Sequence, residues 1–219
     1  MQREASPTTP DIMDKIRNIA FDLGGVIVTI NQDNAIKRFK EIGIADAENR
    51  LNPYTQSGIF GDVEVGKITP DVFIAELSKM AGRQLTFEDC QYAWKGYFAE
   101  LPERNLEILK KLRAEGYRLL LLSNTNPFIM RWALNGDFDG HGNTLGSYFD
   151  GLYLSYECEA MKPDEKIFRK MLAEQHILPN NTLFVDDGPR NVAAASEMGF
   201  KTFCPVNGSD WTKELYDYL

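Results

Sequence analysis

Little in this chain suits a metal knuckle, a membrane or a polyanion. Cysteine occurs three times, at Cys90, Cys158 and Cys204, and no CxxC pair is present. An odd, scattered set of that kind excludes a zinc knuckle and a disulfide framework, and reads as small buried hydrophobes in a reducing compartment. Histidine occurs only twice. No apolar run approaches the roughly 20 residues of a membrane helix. The polar start, Met1 to Asp11 with Pro7 and Pro10, has none of the apolar stretch that a secretory signal needs. Lys and Arg form no cluster and the formal net charge is -8, so neither nucleic acid nor a membrane is expected as a partner. An acidic protein that takes an anionic substrate needs a metal or a local cation to offset its own field. Internal repeats and low-complexity tracts are lacking too. The expectation is a soluble, cytoplasmic chain, monomeric by default, with residues 1–14 as a flexible tail.

What is present is ordinary globular composition: 43% hydrophobic and 26% charged over 219 residues, enough for a real core. Ile16 to Leu23 reads as an apolar strand that ends on Asp22 and turns through Gly24 and Gly25. From about Gln32 to Phe98 no run looks like a buried strand. Apolar residues recur there at three- and four-residue spacing over Asn34–Ile42, Pro70–Met80 and Thr86–Phe98, which predicts amphipathic helices. Thr69-Pro70-Asp71 and Thr86-Phe87-Glu88-Asp89 are helix starts.

Beyond Pro102 strands and helices alternate. Strands are predicted over Tyr117–Leu122, Tyr148–Leu154, Thr182–Val185 and Lys201–Cys204. Helices are predicted over Asn105–Glu115, Pro127–Leu134, Pro163–Gln175 and Asn191–Met198, and a short amphipathic tail closes the chain. This alternation predicts an α/β fold, an open parallel sheet with helices on both faces, and a helical module inserted after the first strand. The expected division is a core of residues 15–31 and 100–219 around an insert of residues 32–99.

In such sheets ligands bind outside the carboxyl ends of the strands, and polar groups collect there. Asp22 ends the first strand, Ser123 and Asn124 end the second, Lys162 follows the third, and Asp186 and Asp187 end the fourth. Three carboxylates at adjacent strand ends are hard to keep ionised without a cation. Oxygen-only ligands without histidine suit a hard ion, best Mg²⁺; a solvated acidic rim is the metal-free reading. Ser123, the amide of Asn124 and the point charge of Lys162 would, with the ion, clamp a phosphoryl group. Asp22 would then be an in-line nucleophile. Taken alone, Ser123 also reads as the N-cap of the next helix and Lys162 as a surface lysine.

The arrangement resembles the haloacid dehalogenase superfamily. The residues that carry the resemblance are Phe21-Asp22-Leu23-Gly24-Gly25-Val26, Leu122-Ser123-Asn124-Thr125, Met161-Lys162-Pro163-Asp164 and Phe184-Val185-Asp186-Asp187, in that order along the chain. The resemblance implies a Rossmann-like core with an all-helical C1 cap over the site. It also implies Mg²⁺-dependent hydrolysis of a small phosphorylated metabolite, a sugar phosphate by its closest flavour, through an aspartyl-phosphate on Asp22. By the same resemblance Asp22, the backbone carbonyl of Gly24 and Asp187 hold the metal, Asp186 supports it from behind, and Lys162 acts in both binding and catalysis. The branch it resembles includes sugar phosphatases and the phosphatase domain of epoxide hydrolases.

One departure stands out. Phosphatases of this family usually carry Asp two residues after the nucleophile as general acid and base, and here that position is Gly24. Two readings follow: a substrate whose leaving group departs readily, or a proton supplied from the cap. Asp62 and Glu64, in Gly61-Asp62-Val63-Glu64-Val65-Gly66, are the nearest candidates for the second reading, against a plain solvated acidic turn; His141 is a weaker one. Rival functions are a haloacid dehalogenase and a binding or regulatory member with weak turnover. Asp137-Phe138-Asp139-Gly140-His141-Gly142-Asn143 reads as a surface loop rather than a calcium site. Trp94, Trp132 and Trp211 read as packing.

Overall fold

The computed structural model describes residues 15–52, 56–136 and 138–219; the tail expected over residues 1–14 and Asp137 of the glycine-rich loop lie outside them. In chain order the elements are β1 (Asn18–Phe21), β2 (Thr29–Ile30), α1 (Gln32–Glu41), α2 (Ile59–Glu64), α3 (Pro70–Ala81), α4 (Phe87–Trp94), β3 (Phe98–Glu100) and α5 (Glu103–Ala114). They continue with β4 (Arg118–Ser123), α6 (Pro127–Ala133), β5 (Gly151–Leu154), α7 (Ser155–Cys158), α8 (Glu165–Gln175), β6 (Thr182–Val185), α9 (Pro189–Glu197) and β7 (Lys201–Phe203).

Five strands form one parallel sheet in the order β5-β4-β1-β6-β7. The chain runs outward from β1 through β4 to β5, then returns to the other side of β1 for β6 and β7. The strand order reverses at β1, and its carboxyl end is where such a sheet takes a ligand. Alternate residues serve opposite faces. Ile19, Phe21, Leu119, Leu121, Leu183 and Val185 pack into one core, while Ala20, Leu120, Leu122 and Phe184 pack into the other against Phe168 and Met171 of α8.

The first core continues without a break into the helical insert. There Phe39, Phe60, Phe73 and Trp94 meet mostly edge to face, with Phe39 5.3 Å from Phe60 and 5.4 Å from Trp94. Phe73 and Phe87 both contact Phe128 of α6, which ties the insert to the sheet layer.

The helix starts follow the sequence signals. Thr69 caps α3 ahead of Pro70, and Thr86 forms a capping box with Asp89 at the start of α4. Other expectations need correction. The third predicted helix stops at Trp94, and after a single turn Phe98 enters β3, which pairs antiparallel with β2. Both strands are short and half-exposed, so neither shows the apolar run that marks a buried strand. The segment around Gly61-Asp62-Val63-Glu64 is the helix α2 rather than a solvated turn. β5 is confined to Gly151–Leu154, because Leu145–Tyr148 form a 3-10 turn and Phe149 and Asp150 lead into the strand. Cys90 and Cys158 are buried as expected, but Cys204 is exposed. Among the described residues no helix is long and apolar enough to cross a membrane.

Candidate active site

The turn after β1 is held rigidly from behind. Asn105 Nδ2 donates to the carbonyls of Val26 and Ile27 at 3.0 Å each, and Trp211 Nε1 donates to Val26 at 2.9 Å. Gly25 has φ 79°, and a β-carbon there would collide with the Asp187 carboxylate, so only glycine lets the turn pass. Asp22 thereby stands at the strand end with its side chain 14% exposed. Its Oδ1 accepts from Leu23 N at 2.7 Å and from Lys162 Nζ at 2.9 Å. Oδ2 carries no hydrogen bond among the described residues.

Lys162 is buried rather than on the surface. Its Nζ also reaches Asp186 Oδ2 at 2.6 Å and the Leu122 carbonyl at 2.8 Å. Burial works against its charge, but Asp186 and Asp22 outweigh burial and raise its pKa, so it stays protonated. The main chain of Lys162 is fixed by Asn124, whose Oδ1 accepts from Lys162 N at 2.8 Å and whose Nδ2 donates to Lys162 O at 2.9 Å. The Asn124 side chain is therefore committed to placing the lysine, and only its main-chain amide remains for a substrate. Asp186 is saturated: besides Lys162 it accepts from Gly188 N at 2.8 Å and from Asn191 Nδ2 at 3.0 Å.

Asp22, Asp186 and Asp187 bring carboxylate oxygens within 4.8 Å of one another. Burial and the neighbouring acids push Asp22 up to about 6 and Asp187 up to about 7. One lysine does not balance three clustered carboxylates, and the donor set is all oxygen. The site thus fits a small hard cation, with Asp22 and Asp187 open to it and Asp186 occupied elsewhere.

Asp22, Gly24, Ser123, Asn124, Lys162 and Asp187 line one cavity. Ser123 does not cap α6; Asn126 does, accepting from Ile129 N. The far wall of the cavity comes from the insert: Gln56, Glu64, Trp94, Tyr97 and Phe98. Asp62 is elsewhere, 41% exposed and 3.6 Å from Lys67. His141 is exposed, on a loop organised by Asp139, which accepts from its backbone at 2.8 Å.

Residues 16–199 match the haloacid dehalogenase-like hydrolase family. The chain belongs to that family. This haloacid dehalogenase-like hydrolase is 47% identical to the D-ribitol-5-phosphate phosphatase of Bacteroides thetaiotaomicron, over 91% of this chain and 97% of that protein. A HAD-like family hydrolase from Porphyromonas gingivalis superposes with TM-score 0.87 at 42% identity, covering 92% of this chain and 97% of that one. A wild-type HAD family enzyme of Bacteroides thetaiotaomicron, solved with magnesium and inorganic phosphate, superposes with TM-score 0.83 at 34% identity, covering 91% and 98%.

Three residues of this hydrolase's site escape a motif reading. Ser155, fully buried, donates to the Glu64 carbonyl at 2.6 Å and accepts from Thr125 N at 2.9 Å. Asn126 caps α6 and lies against the Glu64 carboxyl. Asn191 holds Asp186 from α9. Asn126-Pro127 is itself a helix-start signal and marks a capping residue, but nothing in it announces a partner 62 positions away in the insert.

Proposed function

We propose that the protein is a Mg²⁺-dependent phosphate-monoester hydrolase whose substrate is a small polyhydroxylated phosphate, of the sugar or sugar-alcohol class. The observation that carries the reading is the lysine bridge: Lys162 Nζ spans Asp22 and Asp186 while Asp187 stands beside them. That bridge orients one oxygen of Asp22 and frees the other to attack phosphorus and take the phosphoryl group. Asp22, the carbonyl of Gly24 and Asp187 are assigned to hold the ion, with Asp186 anchoring Lys162 behind them. When bound, Mg²⁺ supplies positive charge opposite the phosphoryl oxygens. Ser123 Oγ, the main-chain amide of Asn124 and Lys162 supply the remaining donors around the transferred group. Residues 32–99 act as the cap that closes over it.

The insert side of the cavity supports the substrate class. Trp94 Nε1 is buried and has no hydrogen-bond partner among the described residues. A buried donor left without a partner costs about 1–3 kcal/mol, and a substrate hydroxyl would relieve it. Gln56 and Tyr97 are neighbours on that wall and already share a hydrogen bond of 3.3 Å. The relative named for D-ribitol 5-phosphate is consistent with an open-chain polyol there.

The test is phosphate release from a panel of sugar, sugar-alcohol and aryl phosphates with Mg²⁺, using Asp22→Asn as control. Polyol and sugar phosphates should lead the panel, and the control should be inactive. Absence of Mg²⁺-dependent release across the panel, or halide release from 2-haloacids in the presence of chelator, would overturn the proposal.

A further inference from the structure

The position two residues beyond Asp22 is Gly24, so the core offers no side chain there to protonate the departing oxygen. The space beside it is not vacant: a β-carbon on Gly24 would stand 3.2 Å from the Ile30 methyl Cγ2. The insert supplies another part of the cavity lining from which a proton for a poor leaving group can come. Five insert residues form that part, and Glu64 is the only carboxylic acid among them. We infer that Glu64 is the catalytic acid of this enzyme, delivering its proton across the cavity to the leaving oxygen of the substrate. The inference rests on the reading of Asp22 as phosphoryl acceptor.

Three features of the structure place Glu64 for this. It is the last residue of α2, buried, and it lines the cavity. Its carbonyl is fixed by the buried hydroxyl of Ser155, which also engages Thr125 in the loop that carries Ser123 and Asn124. Asn126 of the same loop lines the cavity with it and lies against its carboxyl. The acid is thus referenced to the phosphate-binding segment. Just beyond it, Gly66 (φ 75°) lies so close to the Tyr156 carbonyl that any β-carbon would clash, which keeps α2 pressed onto the core.

The environment keeps the proton on. Burial pushes Glu64 up to about 8, with the Asn126 side chain opposing. The other titratable groups facing the cavity are Asp22, Asp187, Lys162 and Tyr97. Tyr97 is itself held neutral by burial and by the charge Glu64 would carry. Asp62, the other acid of this segment, faces Lys67 and solvent and has no part in this.

The steps balance. As Asp22 Oδ2 forms its bond to phosphorus, the bond from phosphorus to the ester oxygen breaks, and that oxygen takes the Glu64 proton and leaves as an alcohol. Glu64, now a carboxylate, takes a proton from water as the water oxygen attacks phosphorus. The Asp22–phosphorus bond breaks, inorganic phosphate forms, and Glu64 is again protonated.

The experiment compares kcat/KM, which reports steps up to loss of the first product, for sugar-alcohol phosphates and for p-nitrophenyl phosphate. The nitrophenolate leaves without a proton; the alkoxide does not. Glu64→Gln should lose about a hundredfold or more on the alkyl ester and far less on the aryl ester, and Glu64→Asp should recover part of the alkyl loss. Equal losses on both esters, or none on either, would overturn the assignment. A second measurement needs no variant: in the native enzyme kcat/KM should depend only weakly on leaving-group pKa, and a steep dependence rules the acid out. Failure of the phosphatase reading itself is distinguishable, because the native protein would then hydrolyse neither ester and Asp22→Asn would change nothing.

Discussion

The hydroxyl of Ser155 donates to the main-chain carbonyl of Glu64 over 2.6 Å, inside the protein and between two parts of the chain 91 residues apart. The same oxygen accepts from Thr125 N and so joins the insert to the phosphate-binding loop. Ser155→Ala removes both bonds and leaves a buried carbonyl and a buried amide unpaired. The loss should be about 1–3 kcal/mol in stability for each group so exposed to an apolar site, read by urea unfolding. Because Glu64 loses its reference to the loop, alkyl-ester turnover should fall while p-nitrophenyl phosphate cleavage is largely kept.

Among the described residues, Lys162 is the one cation paired with the clustered carboxylates. Lys162→Met strands Asp22 and Asp186 with buried negative charge, and breaking a buried pair from one side typically costs about 3–5 kcal/mol. Activity should vanish and the melting temperature should fall steeply. Lys162→Arg should not rescue turnover, since a planar fork cannot bond Asp22, Asp186 and the Leu122 carbonyl from one nitrogen as the ammonium does.

Stability should depend on pH through Glu64. Its ordinary value of 4.5 is raised to about 8 in the fold. A raised acid binds its proton more tightly folded than unfolded. Its contribution is complete below 4.5 and is lost as pH rises towards 8, at about 1.4 kcal/mol per pH unit across that window. Asp22 and Asp187 are raised as well and act in the same direction. The difference between native protein and Glu64→Gln isolates the one group: the native melting temperature should fall more steeply from pH 5 to pH 9 than that of the variant.

Mg²⁺ should raise the melting temperature of the native protein, because an ion that binds only the folded state stabilises it by mass action. Asp187→Asn should abolish most of that rise, whereas Asn191→Ala, which removes a hydrogen bond to Asp186, should weaken it without removing it. Differential scanning fluorimetry with and without chelator reads both.

The sheet and the gathering of polar residues at one edge of it were legible in the sequence for a common reason. Buried parallel strands are continuous apolar runs; three of the four polar motifs directly follow one, and Lys162 follows β5 after the short helix α7. Asp22, Ser123, Lys162 and Asp187 could be placed at one edge because alternation of strand and helix makes the sheet parallel, which brings the carboxyl ends of the strands to the same side. The β2–β3 ribbon was not legible, since two or three half-exposed residues carry no periodicity, and Phe98 looked like the last turn of a helix. Helix α2 was hidden for a similar reason: it is six residues long and runs between Gly58 and Gly66. Ser155 gave no signal because a buried serine in a strand-to-helix corner is known only from what surrounds it. The role of Asn124 was legible in position but not in direction, since its side chain turns to Lys162 rather than to the cavity.

The ribbon of β2 and β3 flanks the only stretch that supplies the insert wall. Gln56, Glu64, Trp94 and Tyr97 all lie between its two strands, and Asp22, Ser123, Lys162 and Asp187 all lie outside them. A segment bounded in that way is a natural unit of exchange between relatives. With no side chain at Gly24, two residues beyond Asp22, this particular segment should not be freely exchangeable. A grafted insert that lacks an acid at the place of Glu64 should yield a folded chimera that still accepts activated aryl esters but not its own metabolite. In this lineage, selectivity and proton supply would have to be inherited together.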